Sequence, residues 1–184
     1  MSTEPSLAEK VILLDRTLTD AGLGYAYGGA LALAYYGEPR VTVDLDLNLF
    51  APPSAFPSVA EQLASLDVKT EVRTEEVELE GKARMWWGRN PVDLFFAYDP
   101  LHEAMEQEAR GVDFGDSSIR ILAPEHLLVC KVVFDRRKDW LDVEQMLVGV
   151  EGLRSGEVFG WLEHIVGQDN QRLDRLQELW DRTR

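Results

Sequence analysis

Asp44 and Asp46, two residues apart in the run Val41-Thr42-Val43-Asp44-Leu45-Asp46-Leu47-Asn48-Leu49, have the type and spacing to do chemistry. Side chains alternate across a strand, so two carboxylates at i and i+2 point the same way. Asn48 shares their face, while Val43, Leu45, Leu47 and Leu49 take the other and read as core. Carboxylates this close repel one another and call for water or a bridging cation, and a hard divalent ion such as Mg²⁺ suits them. Asp93, in the apolar run Pro91-Val92-Asp93-Leu94-Phe95-Phe96, is a third acid, with Val92, Leu94 and Phe96 facing away from it. Aspartate is a poor strand former, so three within apolar strands imply either a solvated sheet face or a shared ligand. Were the two strands neighbours, the acids would converge on one or two Mg²⁺ ions able to bind nucleotide phosphates and activate a hydroxyl.

Gly28 and Gly29 precede a short apolar stretch, Ala30 to Tyr36, that reads as helix. Paired glycines let backbone N–H groups approach a phosphate at a helix N-terminus, although they also serve simply as a tight strand-to-helix turn. Arg40 stands at the entrance to the acidic run, where it can touch a phosphate or cover the sheet end. Lys131 interrupts the apolar helical run Leu127-Leu128-Val129-Cys130-Lys131-Val132-Val133-Phe134. A lysine so placed must snorkel, pair with Asp135 at i+4, or reach into a site. Asp139 and Asp142 share a helix face and read as solvated, with Lys138 and Asp142 as an i,i+4 pair. Trp86, Trp87, Phe95 and Phe96 could stack a base, but in strands such residues are usually core.

The elements that must position these groups follow from capping, turn and periodicity signals. Ser6 and Glu9 form a capping box for a first amphipathic helix that Gly22 can end. A short strand at Tyr25 to Tyr27 leads to the glycines, and Val41 to Phe50 is the acidic strand, followed by a proline-marked loop and a helix at Ser58 to Leu66. Val68 to Leu79 alternates polar and apolar residues and pairs as a hairpin with Ala83 to Trp87; Val92 to Tyr98 is a further strand. Beyond Asp99-Pro100 come a helix at Leu101 to Ala109 and a strand at Ser118 to Leu122. From Pro124 the pattern is helical, over Pro124 to Asp135, Lys138 to Val150, Gly156 to Ile165 and Asn170 to the end. The expected organisation is an α+β region at 1–123 and a helical region at 124–184.

The chain has 184 residues, 45% of them apolar, and a formal net charge of −14. That charge opposes broad attachment to nucleic acid, which depends on phosphate neutralisation by Lys and Arg. Local basic surfaces remain: Lys131, Arg136, Arg137 and Lys138 form one group, and Arg172, Arg175, Arg182 and Arg184 another. A single cysteine, Cys130, excludes an internal disulfide, and three scattered histidines offer no zinc-type cluster. The N-terminus lacks the basic-then-apolar order of a signal peptide, and no apolar stretch reaches membrane-spanning length. A cytoplasmic protein without membrane contact is expected.

Together, the glycine turn, short helix, D-x-D strand and later third acid resemble the nucleotidyltransferase superfamily of polymerase-β-like fold. The chain is more specifically similar to AbiEii/MenT-like toxin nucleotidyltransferases, with Gly28-Gly29-Ala30-Leu31 for GG-x-A-L and Arg40-Val41-Thr42-Val43-Asp44-Leu45-Asp46 for R-x-[ST]-x-D-[IL]-D. Lys131 and Lys138-Asp139 resemble that branch's later lysine and K-D pair. Many superfamily members carry Ser after the first glycine; Gly29 removes that hydroxyl and leaves backbone N–H groups to hold a phosphate. The resemblance implies an α+β mixed sheet flanked by helices with a helical C-terminal part. It further implies Mg²⁺ on Asp44, Asp46 and Asp93, an NTP against Gly28, Gly29 and Arg40, and Lys131 steadying the triphosphate. Asp93 would be the base or third metal ligand. The implied activity is NMP transfer to an acceptor hydroxyl, as a toxin acting on tRNA 3′ ends and paired with an antitoxin. Alternative acceptors are a cationic small molecule of the aminoglycoside kind or a protein hydroxyl, and a non-catalytic nucleotide-binding module is a further class.

Overall fold

Ser6 opens the first element as its sequence predicts: its hydroxyl accepts from the Glu9 N–H while the Glu9 carboxylate accepts from the Ser6 N–H at 2.7 Å. This reciprocal cap starts helix α1, Leu7–Asp20, which buries Val11, Leu14 and Leu18. The computed structural model describes residues 4–183. Met1–Thr3, part of the segment read as lacking a signal sequence, and Arg184, part of the second basic group, lie outside the described residues.

Strand β1 (Tyr25–Tyr27) leads into helix α2 (Gly29–Leu33), and β2 (Leu45–Leu49) follows. A short 3-10 turn at Pro53–Ala55 precedes α3 (Phe56–Ala64), and α4 (Thr74–Glu80) is joined through Gly81 to β3 (Lys82–Trp87) and β4 (Asn90–Phe96). Next come α5 (Pro100–Glu108), β5 (Arg110–Phe114) and β6 (Ser117–Ile121), then α6 (Pro124–Phe134), α7 (Arg137–Gly149), α8 (Ser155–Val166) and α9 (Gln171–Thr183). The chain packs as two compact units: the sheet unit holds Val41–Ile121 and the chain up to Leu31, and the helical unit holds Ala32–Arg40 and the chain from Leu122 onward.

In the sheet unit six strands run in the order β3-β4-β2-β1-β6-β5. The expected α+β architecture, a mixed sheet flanked by helices, is what the chain adopts: β2 pairs parallel with β4 and antiparallel with β1, and β1 pairs parallel with β6. Leu45, Leu47, Leu49, Val92, Leu94 and Phe96 are at most 1% exposed on one face. Helices α1 and α3 cover that face, where Tyr27 Oη donates to the Val11 carbonyl and the rings of Phe56 and Phe96 meet edge to face at 6.1 Å. Burying such a set of side chains supplies most of the driving force for this unit.

Three expectations require correction. The acidic strand is shorter than Val41 to Phe50, because only Leu45–Leu49 finds partners on β4, and of these only Leu47–Leu49 also pair with β1; Asp44 lies in the lead-in, and Val43 is 55% exposed rather than core. The expected hairpin between Val68 to Leu79 and Ala83 to Trp87 is reduced to one bridge between Lys69 and Trp86. Thr74–Glu80 is instead helical, since its glutamates and leucine are good helix formers and Gly81, at φ +67°, terminates the turn. The true hairpin joins β3 to β4 around Gly88, and a second, β5 to β6, turns at Gly115; Arg110–Phe114 was not expected as a strand because its charged, glycine-containing sequence carries little β signal.

In the helical unit α6 buries Leu127, Leu128, Val129 and Val132, while α9 buries Leu173, Leu176 and Leu179 in the amphipathic spacing of its sequence. Tyr36 Oη donates to the Leu122 carbonyl at 2.7 Å and anchors the segment after α2. No helix among the described residues is long and apolar enough to cross a membrane.

Candidate active site

Asp46 and Asp93 stand opposite one another on the parallel neighbours β2 and β4. Strand spacing therefore sets their backbones about 4.8 Å apart, with both side chains on the face opposite the apolar core. Asn48 lies next along that face, buried, with its amide 3.5 Å from the Ala26 carbonyl. Asp44 precedes β2, and its N–H donates to Thr42 Oγ1 at 3.1 Å. The lead-in that carries it is held by Asn90, whose side-chain amide donates to the Val43 carbonyl at 2.8 Å. Asn90 Oδ1 in turn accepts from the fully buried Lys10 ammonium at 2.8 Å. Lys10 also donates to the Trp87 carbonyl at 2.9 Å and pairs with Glu4, so its buried charge has three partners.

The glycine turn belongs to the same place. Gly28 N–H donates to the Asp46 carbonyl at 2.9 Å. Gly29 has φ +56°, and a Cβ there would lie 1.8 Å from Asp46 Oδ2. Two independent constraints thus demand glycine at 29: a left-handed backbone and direct apposition to a carboxylate. Serine cannot enter this geometry without displacing Asp46, which gives the lack of a hydroxyl side chain after Gly28 a local cause.

The sequence reading missed Arg84. This residue is the β3 register partner of Asp93, and it grips that carboxylate with both arms: Nε to Oδ1 and NH2 to Oδ2, each 2.7 Å. Bidentate geometry of this kind is the strongest pairing that arginine makes with a carboxylate. Asp93 holds the guanidinium further above its ordinary range, and Asp44 and Asp46 add smaller electrostatic contributions in the same direction. All three acids therefore act on one cation. The signal was present in the period-two alternation Lys82-Ala83-Arg84-Met85-Trp86-Trp87, which places Lys82, Arg84 and Trp86 on one face and Ala83, Met85 and Trp87 in the core. Trp86 is half exposed on the charged face, whereas Trp87 and Phe96 are core.

Arg40 and Lys131 belong to the helical unit, where both converge on Asp142. Lys131 Nζ is 2.6 Å from Asp142 Oδ2 and 3.6 Å from Asp139 Oδ1; Arg40 reaches the same Asp142 oxygen at 3.3 Å. Lys131, Asp139 and Asp142 are all buried, which corrects the expectation of solvated acids. The expected Lys131–Asp135 pair does not form, because Asp135 is the left-handed cap of α6 and its carboxylate instead accepts from Trp140 and Arg172. Asp142 takes Lys131 and Arg40 as partners in place of the expected Lys138.

Asp46 and Asp93 offer hard oxygen donors on one polar sheet face beside the glycine turn, with Asp44 in the lead-in two residues before Asp46. Such a donor set fits Mg²⁺ or Mn²⁺ and does not fit a soft metal.

No protein-family model and no curated protein matches the chain. Solved structures do match over most of its length. The antibiotic-resistance factor ANT(2'')-Ia superposes with TM-score 0.64 at 12% identity, covering 96% of this chain and 97% of that one. The lincosamide antibiotic adenylyltransferase LnuA, bound to lincomycin, gives 0.55 at 12% identity, with 78% of this chain and 98% of the other covered. An antigenic nucleotidyltransferase-like protein from Paracoccidioides brasiliensis gives 0.55 at 18% identity, covering 95% and 92%. At these identities the likeness is one of fold, and the fold is that of nucleotidyltransferases of the polymerase-β type.

Proposed function

We propose that this chain is a divalent-metal-dependent nucleotidyltransferase that moves an NMP group from an NTP to an acceptor hydroxyl. The observation that carries this reading is the register of Asp46 against Asp93 on adjacent strands, with Gly29 pressed against the Asp46 carboxylate. Asp44, Asp46 and Asp93 would hold the metal, which when bound offsets phosphate charge and lowers the pKa of an oxygen nucleophile. The chain's own contribution is positional. Lys10 and Asn90 fix the lead-in that carries Asp44, the β2–β4 ladder fixes Asp46 and Asp93, and the Gly28-Gly29 turn brings bare backbone directly against the Asp46 carboxylate. Asp93 is the base or third ligand of this scheme. Arg40 and Lys131 are proposed as phosphate ligands on the motif resemblance alone, since Asp142 answers their charge in this structure.

Two acceptor classes are in play. The R-x-T-x-D-L-D and K-D patterns support a cytoplasmic toxin acting on tRNA and held in check by an antitoxin. A net charge of −14 supports a cationic small molecule instead, in keeping with the adenylyl-tobramycin bound to ANT(2'')-Ia and the lincomycin bound to LnuA. We place the small molecule first, because polyanion binding by so acidic a chain needs a compensating basic surface.

Incubation with α-³²P-labelled NTPs, Mg²⁺ and, in separate tubes, total tRNA, an aminoglycoside and lincosamide panel, or the protein alone decides between these acceptors. Label on a small molecule, lost in Asp46→Asn, is the expected result. Label on tRNA moves the assignment to the toxin. Nucleotide binding without transfer, and indifferent to Asp44→Ala and Asp46→Ala, contradicts the enzyme reading altogether.

A further inference from the structure

Arg84 is placed to do more than decorate an edge strand. It is 56% exposed at the side chain, whereas the Asp93 carboxylate it grips is 15% exposed. Its two hydrogen bonds engage both oxygens of Asp93, the same oxygens that a divalent ion would need. The register Arg84–Asp93–Asp46 runs straight across β3, β4 and β2 on one face. A row of acids at strand spacing is self-repelling, and a guanidinium at its end offsets part of that repulsion without any metal.

Resting on the metal-site reading above, we infer that Arg84 is a displaceable internal counter-ion of the aspartate cluster: it holds Asp93 in the metal-free protein and competes with the divalent cation for that carboxylate. Arg84 is 56% exposed, so water can take up its guanidinium when the two bonds to Asp93 break, and a doubly charged, compact ion outcompetes a delocalised single charge once it is available. Arg84 therefore sets the cation concentration at which the site fills. It is a positioning residue for Asp93 in the empty site and an opponent of loading.

The test is Mn²⁺ binding followed by the loss of the free-ion EPR signal at fixed ionic strength, on wild type, Arg84→Gln, Arg84→Lys, Asp46→Asn, Asp93→Asn and Arg84→Gln/Asp93→Asn. Removing one positive charge at this range predicts roughly five- to tenfold tighter Mn²⁺ binding in Arg84→Gln. Arg84→Lys, which keeps the charge and loses the fork, falls between the two. In the Asp93→Asn background the Arg84→Gln gain disappears. Thermal unfolding supplies a readout independent of turnover: Arg84→Gln melts below wild type in EDTA, and saturating Mn²⁺ closes the gap. Equal or weaker Mn²⁺ binding by Arg84→Gln, with binding still lost in Asp46→Asn, overturns this inference and leaves the metal site standing. Absence of Mn²⁺ binding in every protein, or binding indifferent to both Asp46→Asn and Asp93→Asn, overturns both.

Discussion

A Cβ added to Gly29 would sit 1.8 Å from Asp46 Oδ2 and 2.9 Å from its Cβ, so the turn and the acidic strand are fitted to each other at van der Waals limits. The backbone at Gly29 is also left-handed, φ +56°. Gly29→Ala combines a positive-φ penalty with a forced shift of Asp46, and we expect a loss of roughly 2–4 kcal/mol. Gly29→Ser should behave alike, because its hydroxyl hangs on the same offending carbon. Chemical denaturation of both variants checks this, and a serine variant as stable as wild type would contradict it.

Asn90 couples the buried Lys10 ammonium to the Val43 carbonyl, one residue before Asp44. Asn90→Ala removes both bonds and leaves a buried cation with one partner fewer, for an expected cost of about 1–3 kcal/mol. Because the lost anchor is the one behind Asp44, the same variant should weaken Mn²⁺ binding as well as stability. Asn90→Asp, which keeps an acceptor for Lys10 and loses the donor to Val43, separates the two effects: stability partly returns while the metal affinity does not.

Lys131 is almost fully buried against Asp142 and Asp139. Asp142→Ala leaves the ammonium with Asp139 at 3.6 Å as its remaining carboxylate, and also strips Arg40 of its partner. Breaking one side of a buried pair typically costs about 3–5 kcal/mol, and the second acid places this case at the low end. The double variant Lys131→Met/Asp142→Leu should recover most of the loss, measured by urea unfolding, since an apolar pair of similar volume needs no compensation.

His102, largely buried, donates from Nδ1 to the Asp99 carbonyl at 3.2 Å and packs on the Tyr98 ring at 5.1 Å. Burial pushes its pKa below the ordinary imidazole value. The unfolded chain thus binds the proton more readily than the folded one. Stability from this group is present above about pH 6.5 and is lost as the pH falls through the lower folded value. Melting temperatures across pH 7.5 to 5 should therefore fall less in His102→Gln than in wild type.

Much of this architecture was legible from short-range signals. The Ser6–Glu9 box, the Gly28-Gly29 turn and the apolar faces around Asp46 and Asp93 each encode their structure within a few residues, and the structure repeats them. What failed was long-range or competitive. Thr74–Glu80 has both a strand-like alternation and helix-forming residues, and the helix formers with the left-handed stop at Gly81 prevail over the alternation. Asp142 looked solvated because nothing local announces Lys131 eleven residues earlier as its partner. Arg84 was visible as an alternating charge, but its grip on Asp93 depends on the β3–β4 register, which the misplaced hairpin concealed.

In the proposed site Asp44, Asp46 and Asp93 share a divalent cation beside the glycine turn. Anomalous diffraction from crystals grown with Mn²⁺ and a non-hydrolysable NTP addresses it directly. The account predicts a Mn²⁺ peak within ligand distance of Asp46 and Asp93 or Asp44, with triphosphate oxygens against the Gly28-Gly29 backbone. Manganese bound elsewhere, with these carboxylates unligated and the nucleotide away from the turn, would contradict it.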